Sequence, residues 1–248
     1  MGGVNFLKMI LDKFKNLSNN SNLLILFFIL CAFAIFISPA FLDFNNIQNI
    51  IRTVMVLGII AFGMTMVMIV GEIDLSVGSI AAFSCAFGGL FVESGSSFTV
   101  ISLTLLAGLL CGFLNGLGVT LIKVPSLIMT LGTMAIIRNA GYIMTNGQAS
   151  YPTKLDTYMM TAKGFIGIVP VPVMIFIILS IICAVLTRYS TVGKSLYVVG
   201  SNPVASILSG ISNNRAKIIA FTVCGLCCSI AGLIHSARLG QIDPHMGI

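Results

Sequence analysis

The sequence predicts an all-α, polytopic integral membrane protein, and three observations lead there. Of its 248 residues, 57% are apolar and only 8% charged, with a mean hydropathy of +1.08, whereas a soluble domain carries about a quarter charged residues to keep its surface wet. Seven runs are apolar over roughly the 20 residues that a bilayer crossing needs: residues 23–41, 52–71, 75–92, 98–121, 125–145, 166–186 and 218–237. The 13 Lys and Arg exceed the 7 Asp and Glu, for a net charge of +6, and they fall mostly between those runs. That charge therefore reads as membrane orientation, with no nucleic acid as partner. A soluble enzyme is excluded, and so few carboxylates and histidines leave little for acid, base or metal chemistry. No cofactor is called for.

Taken in order, residues 1–22 form a cytoplasmic amphipathic segment. Phe6, Leu7, Ile10, Leu11 and Phe14 recur at helical spacing opposite Lys8, Lys13 and Lys15, the pattern of an interfacial helix. Phe6 stands where a myristoylation signal needs Ser or Thr. The first apolar run has a loose cleavage-like Ser38-Pro39-Ala40 near its end, but its long leader and the spans that follow make it a crossing rather than a signal peptide. Residues 23–248 are then one transmembrane domain. With the N-terminus inside, the inner loops collect Lys8, Lys13, Lys15, Lys123, Arg188, Lys194, Arg215 and Lys217, while the outer ones hold Arg52, Lys154, Lys163 and Arg238. That bias puts the loop 187–217 in the cytoplasm and the loop 146–165 outside. The seven cysteines all lie in apolar runs, an odd buried set that reads as small packing residues rather than a disulfide framework.

Four places break the apolar pattern. In the first, Glu72, Asp74 and Ser76 sit between two apolar runs with almost no loop, where irregular backbone persists only against protein or a water-filled cavity. Asp74 is placed to accept from backbone N–H groups two or three residues on, as a helix cap does. Three readings stay open: a capped break, the wall of an aqueous path, or a proton or cation site, since acids within a membrane are functional candidates by default. Next, Gly108, Gly112 and Gly116 share one helix face and let a second helix approach closely, with Asn115 beside them to bond across. Arg138 and His235, each inside a span, read as anchoring and helix pairing.

The fourth break is the loop 187–217. Asn202 before Pro203 and an apolar run is a helix start, and Gly210 is a stop. The resulting helix of about seven residues, about 10 Å long, carries Val204, Ile207 and Leu208 on one face. A greasy face beside the membrane is better explained by docking of a soluble subunit than by a bland surface turn. Upstream, Gly193, Lys194 and Ser195 look like the end of a phosphate-binding loop, but Arg188 replaces its first glycine and no strand precedes it. Any ATP used must be hydrolysed by another subunit.

Gly71 to Ser79 (Gly-Glu-Ile-Asp-Leu-Ser-Val-Gly-Ser), Pro125 to Thr133 (Pro-Ser-Leu-Ile-Met-Thr-Leu-Gly-Thr), the run Gly193 to Ile211 and the final Ala237-Arg-Leu-Gly240 together resemble the permease subunits of bacterial ABC importers for ribose-like monosaccharides. These belong to the branched-chain amino acid and sugar permease superfamily. The resemblance runs from about residue 45 onward. It implies a non-catalytic, pore-forming permease in the cell membrane with about ten spans, working beside a second permease copy, ATP-binding cassette subunits and an extracytoplasmic sugar-binding protein. The family's coupling helix maps onto Pro203 to Ser209, with Gly193, Asn202, Pro203, Ala205, Leu208 and Gly210 as the residues that couple to the ATPase. Glu72, Asp74 and Ser76 become candidates for the translocation pathway. Two departures stand out. Glu72 occupies a position where the motif often has a second glycine, and about three spans of the family pattern lie beyond the seven present, so the chain reads as C-terminally incomplete. The alternatives are a branched-chain amino acid permease of the same architecture and an ion-coupled secondary transporter, for which a broken helix near Glu72 is the expected kind of site. A polar, non-titrating role at Glu72 predicts that Glu72→Gln leaves uptake largely intact.

Overall fold

The computed structural model describes residues 19–246; the amphipathic pattern expected before residue 19 lies outside the described residues. The described residues divide into two compact units, one ending at Ile51 and one starting at Arg52. In the first, helix α1 (Asn19–Ile37) leads into a 3-10 turn, Pro39–Leu42. Asn46 Nδ2 donates to the Phe41 carbonyl at 2.8 Å and so ties that turn to the start of the next helix.

That helix, α2 (Phe44–Ile69), is 26 residues long and begins eight residues ahead of the expected run at 52. Asn45, Asn46, Gln48 and Asn49 lower the hydropathy of its opening turns without breaking the helix, and Asp43 supplies the first backbone acceptor, taking Ile47 N–H at 2.9 Å. The second unit continues with α3 (Val77–Gly89), α4 (Ser97–Thr120), α5 (Ser126–Met144), α6 (Asp156–Lys163), a two-residue-per-strand hairpin of β1 (Phe165–Ile166) and β2 (Val169–Pro170), α7 (Val171–Tyr189), α8 (Thr191–Ser201), α9 (Pro203–Leu208) and α10 (Asn213–Leu239). The all-α membrane class holds: among the described residues five helices are long and apolar enough to cross a bilayer, namely α2, α4, α5, α7 and α10, and two apolar helices are shorter.

One of the short ones is a shorter helix than its expected run. The run 75–92 contains only the 13-residue α3, about 20 Å at 1.5 Å per residue against a hydrocarbon core of about 30 Å. Its flanks are claimed by the polar break before it and by turns from Leu90 onward. Nearly every α3 side chain is buried, among them Ser79, Ile80, Ala81, Ser84 and Cys85. Small residues let it sit enclosed by its neighbours: a methyl on Gly232 of α10 would come within 2.6 Å of the Ala81 carbonyl and 2.9 Å of Cys85 Sγ.

The core of the second unit is α10, whose buried residues run from Ala216 to Ala237. It packs along α4 at the glycine face expected from sequence. A methyl built on Gly116 would lie 2.8 Å from Ile218 Cα, one on Gly112 would meet the Phe221 carbonyl and lie 3.0 Å from Gly225 Cα, and one on Gly108 would strike Ser229. Gly225 answers from the other side, 2.9 Å from Gly112 Cα by the same construction. The two backbones therefore touch, with no side chain between them. The loop 146–165 also carries structure that its polarity hid: α6 turns Tyr158 and Ala162 inward, and the Tyr158 hydroxyl pairs with Ser236 Oγ at 2.5 Å. Burial pushes that phenol well above its ordinary pKa. All seven cysteines are free.

Candidate functional site

The polar break begins where α2 stops. Gly71 adopts φ +80°, its N–H donates to the Met68 carbonyl at 3.0 Å, and Glu72 N–H reaches back to Val67 at 3.0 Å. This is a Schellman stop, with glycine at the left-handed position. Four residues later α3 starts. Asp74 Oδ1 accepts from Ser76 N–H at 2.8 Å and from Ser76 Oγ at 2.6 Å, so the acid does take a backbone donor two residues on. The N-cap position itself belongs to Ser76. Asn115 Nδ2 of α4 donates to Ser76 Oγ at 2.8 Å, and Asp74, Ser76 and Asn115 are all fully buried.

Two further donors of the break are held from α5. Ile73 N–H donates to Ser126 Oγ at 3.3 Å, and Leu75 N–H donates to Thr130 Oγ1 at 3.2 Å. Ser126 and Thr130 lie four residues apart, on one face of the first turns of α5. Of the three pathway candidates, Asp74 and Ser76 thus turn into the protein. Glu72 faces outward, onto a cavity of about 330 Å³ that it shares with Thr120, Lys123, Ser126, Asn214 and Lys217. There Lys217 Nζ stands 2.5 Å from Glu72 Oε1, with the side chains of Lys217 and Glu72 only 26% and 15% exposed.

The loop 187–217 is largely helical. Ser190 Oγ caps α8 by accepting from Gly193 N–H at 2.9 Å, and Gly193 lets the start of α8 press on the end of α7, since a methyl there would meet the Leu186 and Thr187 carbonyls. The glycine of the nucleotide-loop lookalike is thus a packing glycine at an elbow between two helices. Next, Asn202 Oδ1 accepts from Val204 N–H at 3.1 Å and Ala205 N–H at 3.0 Å, with Pro203 opening α9. Gly210, at φ +75°, ends it: Gly210 N–H donates to Ile207 at 3.0 Å and Ile211 N–H to Ser206 at 2.9 Å. The helix closes at Leu208, one residue short of expectation, because Ser209 already serves as its C-cap.

Ser206 is the one buried residue of α9, and it anchors the helix to α10. Its hydroxyl donates to Asn213 Oδ1, and Asn213 Nδ2 donates to the Pro203 carbonyl at 3.0 Å. The opposite face is bare, with Val204 69%, Ile207 64% and Leu208 85% exposed.

The second unit thus combines apolar helices, a polar break held against α5 and a capped helix whose aliphatic face is uncovered. Residues 46–248 match the family described as the permease component of branched-chain amino acid transport systems. The chain belongs to this family. Among relatives of this permease, the ribose import permease of Haemophilus influenzae is 35% identical over 224 residues, covering 89% of this chain and 69% of the relative. The autoinducer 2 import system permease of Photorhabdus luminescens is 29% identical, with 94% and 71% covered, and the L-arabinose ABC transporter permease of Azospirillum brasilense is 32% identical, with 94% and 68% covered. No solved structure matches the permease.

Lys217, Ser126 and Thr130 were not singled out by the sequence reading. The i, i+4 pair in the Pro125 to Thr133 motif was a usable signal, since two hydroxyls on one face of an apolar helix need acceptors or donors. For Lys217 no local signal existed, because its partner lies 145 residues away.

Proposed function

We propose that this permease is the membrane-spanning, pore-forming subunit of an ATP-driven, binding-protein-dependent importer of a monosaccharide such as ribose. It works beside a second copy of itself, ATP-binding cassette subunits on the cytoplasmic side and a sugar-binding protein outside. The observation that carries this reading is the 35% identity to a ribose import permease across 89% of the chain, which includes the whole loop bearing α9. The uncovered Val204, Ile207 and Leu208 supply the docking face that such a subunit needs, and Asn202, Pro203 and Gly210 fix the helix that presents it. ATP hydrolysis belongs to the partner. Family membership speaks against an ion-coupled carrier.

The test is uptake of labelled ribose into cells or vesicles carrying the full permease with its ATPase and binding protein. Uptake should vanish when ATP is depleted and survive collapse of the proton and sodium gradients. The opposite pattern would establish a secondary transporter instead.

In this reading the end that carries α8 and α9 faces the cytoplasm, as the inner basic residues require. In a background with the seven native cysteines replaced, Ser201→Cys is expected to resist a membrane-impermeant thiol reagent in intact cells and to react in inverted vesicles. Labelling from outside intact cells would reverse the topology.

A further inference from the structure

We propose that Glu72 and Lys217 are positioning residues that transmit displacement of α9 to the N-terminal end of α5. This rests on the importer reading above, in which α9 is the element that the ATPase moves.

The path is continuous. Asn213 pins α9 by accepting from the Ser206 hydroxyl and donating to the Pro203 carbonyl. Lys217 stands four residues, one helical turn, further along α10, on the same face as Asn213, so whatever tilts the first turn of α10 carries both residues with it. The Lys217 ammonium is paired to Glu72, and Glu72 is the residue that closes the Schellman stop of α2. Directly after it, Ile73 and Leu75 donate their N–H groups to Ser126 and Thr130. Every link from α9 to α5 is therefore a hydrogen bond, an ion pair or a single turn of helix. Packed chains, hydrogen bonds and salt bridges of this kind can carry coupling between two sites.

Two features separate this pair from an incidental surface contact. It is shielded, so salt screens it less than an exposed pair and the loss of one partner leaves the other charge poorly solvated. It also bears on α5 where that helix turns inward, since its buried residues are Ser126, Thr130 and Gly141. Two of those three are the hydroxyl residues bonded to the break. A pull on Glu72 is thus applied at the point where α5 is gripped. The ion pair also alters the expectation for Glu72→Gln, which removes the charge that Lys217 answers.

The experiment uses the full permease reconstituted with its ATPase and loaded binding protein, and reads the number of sugars transported per ATP hydrolysed. Glu72→Lys alone and Lys217→Glu alone should each lower that ratio by about tenfold, in the range of ordinary coupling energies. The double exchange, Glu72→Lys with Lys217→Glu, should recover most of it. A structural staple would alter assembly and yield without moving the ratio in properly inserted protein. If a charge-reversal variant does not insert, the neutral pair Glu72→Gln with Lys217→Gln serves in its place and should also show the lowered ratio. An unchanged ratio in the single or neutral variants, or no recovery in the double exchange, overturns the proposal while leaving the importer reading intact. Loss of ATP-dependent sugar uptake in the unmodified complex would overturn both.

Discussion

Replacing Ala205 and Leu208 together by glutamate is expected to abolish the stimulation of ATP hydrolysis by loaded binding protein while leaving membrane insertion normal. The structure separates what builds α9 from what it presents. Asn202, Ser206, Asn213 and Gly210 make the caps and the tether, whereas Ala205 and Leu208 point away from the rest of the chain. Insertion and local folding should therefore survive. The three aliphatic side chains of the face would contribute about 1.5 to 3 kcal/mol each if fully covered, against association costs of about 4 to 15 kcal/mol. The surplus is small or negative, so in the proposed reading α9 acts as a lever within a larger contact. Two carboxylates in that contact would lose partners on burial, which costs several kcal/mol per ion. Stimulated hydrolysis and sugar uptake in the reconstituted complex are the readouts. Normal values for both would reduce α9 to a surface turn.

The second large effect is expected at Gly112. Gly112→Leu should eliminate folded permease, and Gly112→Ala should lower thermal stability measurably. Between α4 and α10 the backbones meet directly, so even one methyl has no side chain to displace and meets the Phe221 carbonyl and Gly225 instead. Overpacking of this kind costs about 1 to 3 kcal/mol where neighbours can yield, and here the neighbour is a helix backbone that also carries Gly108 and Gly116 contacts. Gly132 provides the contrast, because a methyl there meets nothing within 4 Å. Detergent-solubilised yield, size-exclusion profile and melting temperature of the full permease would be compared for Gly112→Ala, Gly112→Leu and Gly132→Ala. Equal behaviour of Gly112→Ala and Gly132→Ala would contradict the close approach.

These two cases also mark what was legible in the sequence. A glycine every fourth residue and an Asn-Pro start with a glycine stop are local patterns, and local geometry alone turns them into a packing face and a capped helix. Hydropathy likewise located every apolar helix, because burial in lipid depends on composition. It misplaced boundaries wherever polar side chains sit on a helix that continues regardless, as at Asn45 to Asn49 in α2. It also suggested a longer helix at α3, where the chain supplies 13 helical residues. The short α6 and α8 were hidden because each draws its order from neighbours, through Tyr158 on Ser236 and Gly193 on the end of α7. Within the site, Asp74 was placed beside its backbone donor by spacing. Glu72 found its partner only through the tertiary arrangement of α2 and α10, and no local pattern encodes that.

The shortness of α3 bears on how the polypeptide is made. At 13 residues it falls below the roughly 20 that partition into a bilayer by themselves, and several of its inward groups are hydroxyls, at Ser79 and Ser84. It packs first against α4, delivered directly after it, where a methyl on Gly88 would meet Thr104 and the Val100 carbonyl, and only later against Gly232 and Ser236 of α10. During synthesis its enclosure is therefore completed in two stages, against α4 at once and against α10 only after more than a hundred further residues have emerged. Until α10 arrives, the side of α3 that carries Ala81 and Cys85 stays unenclosed.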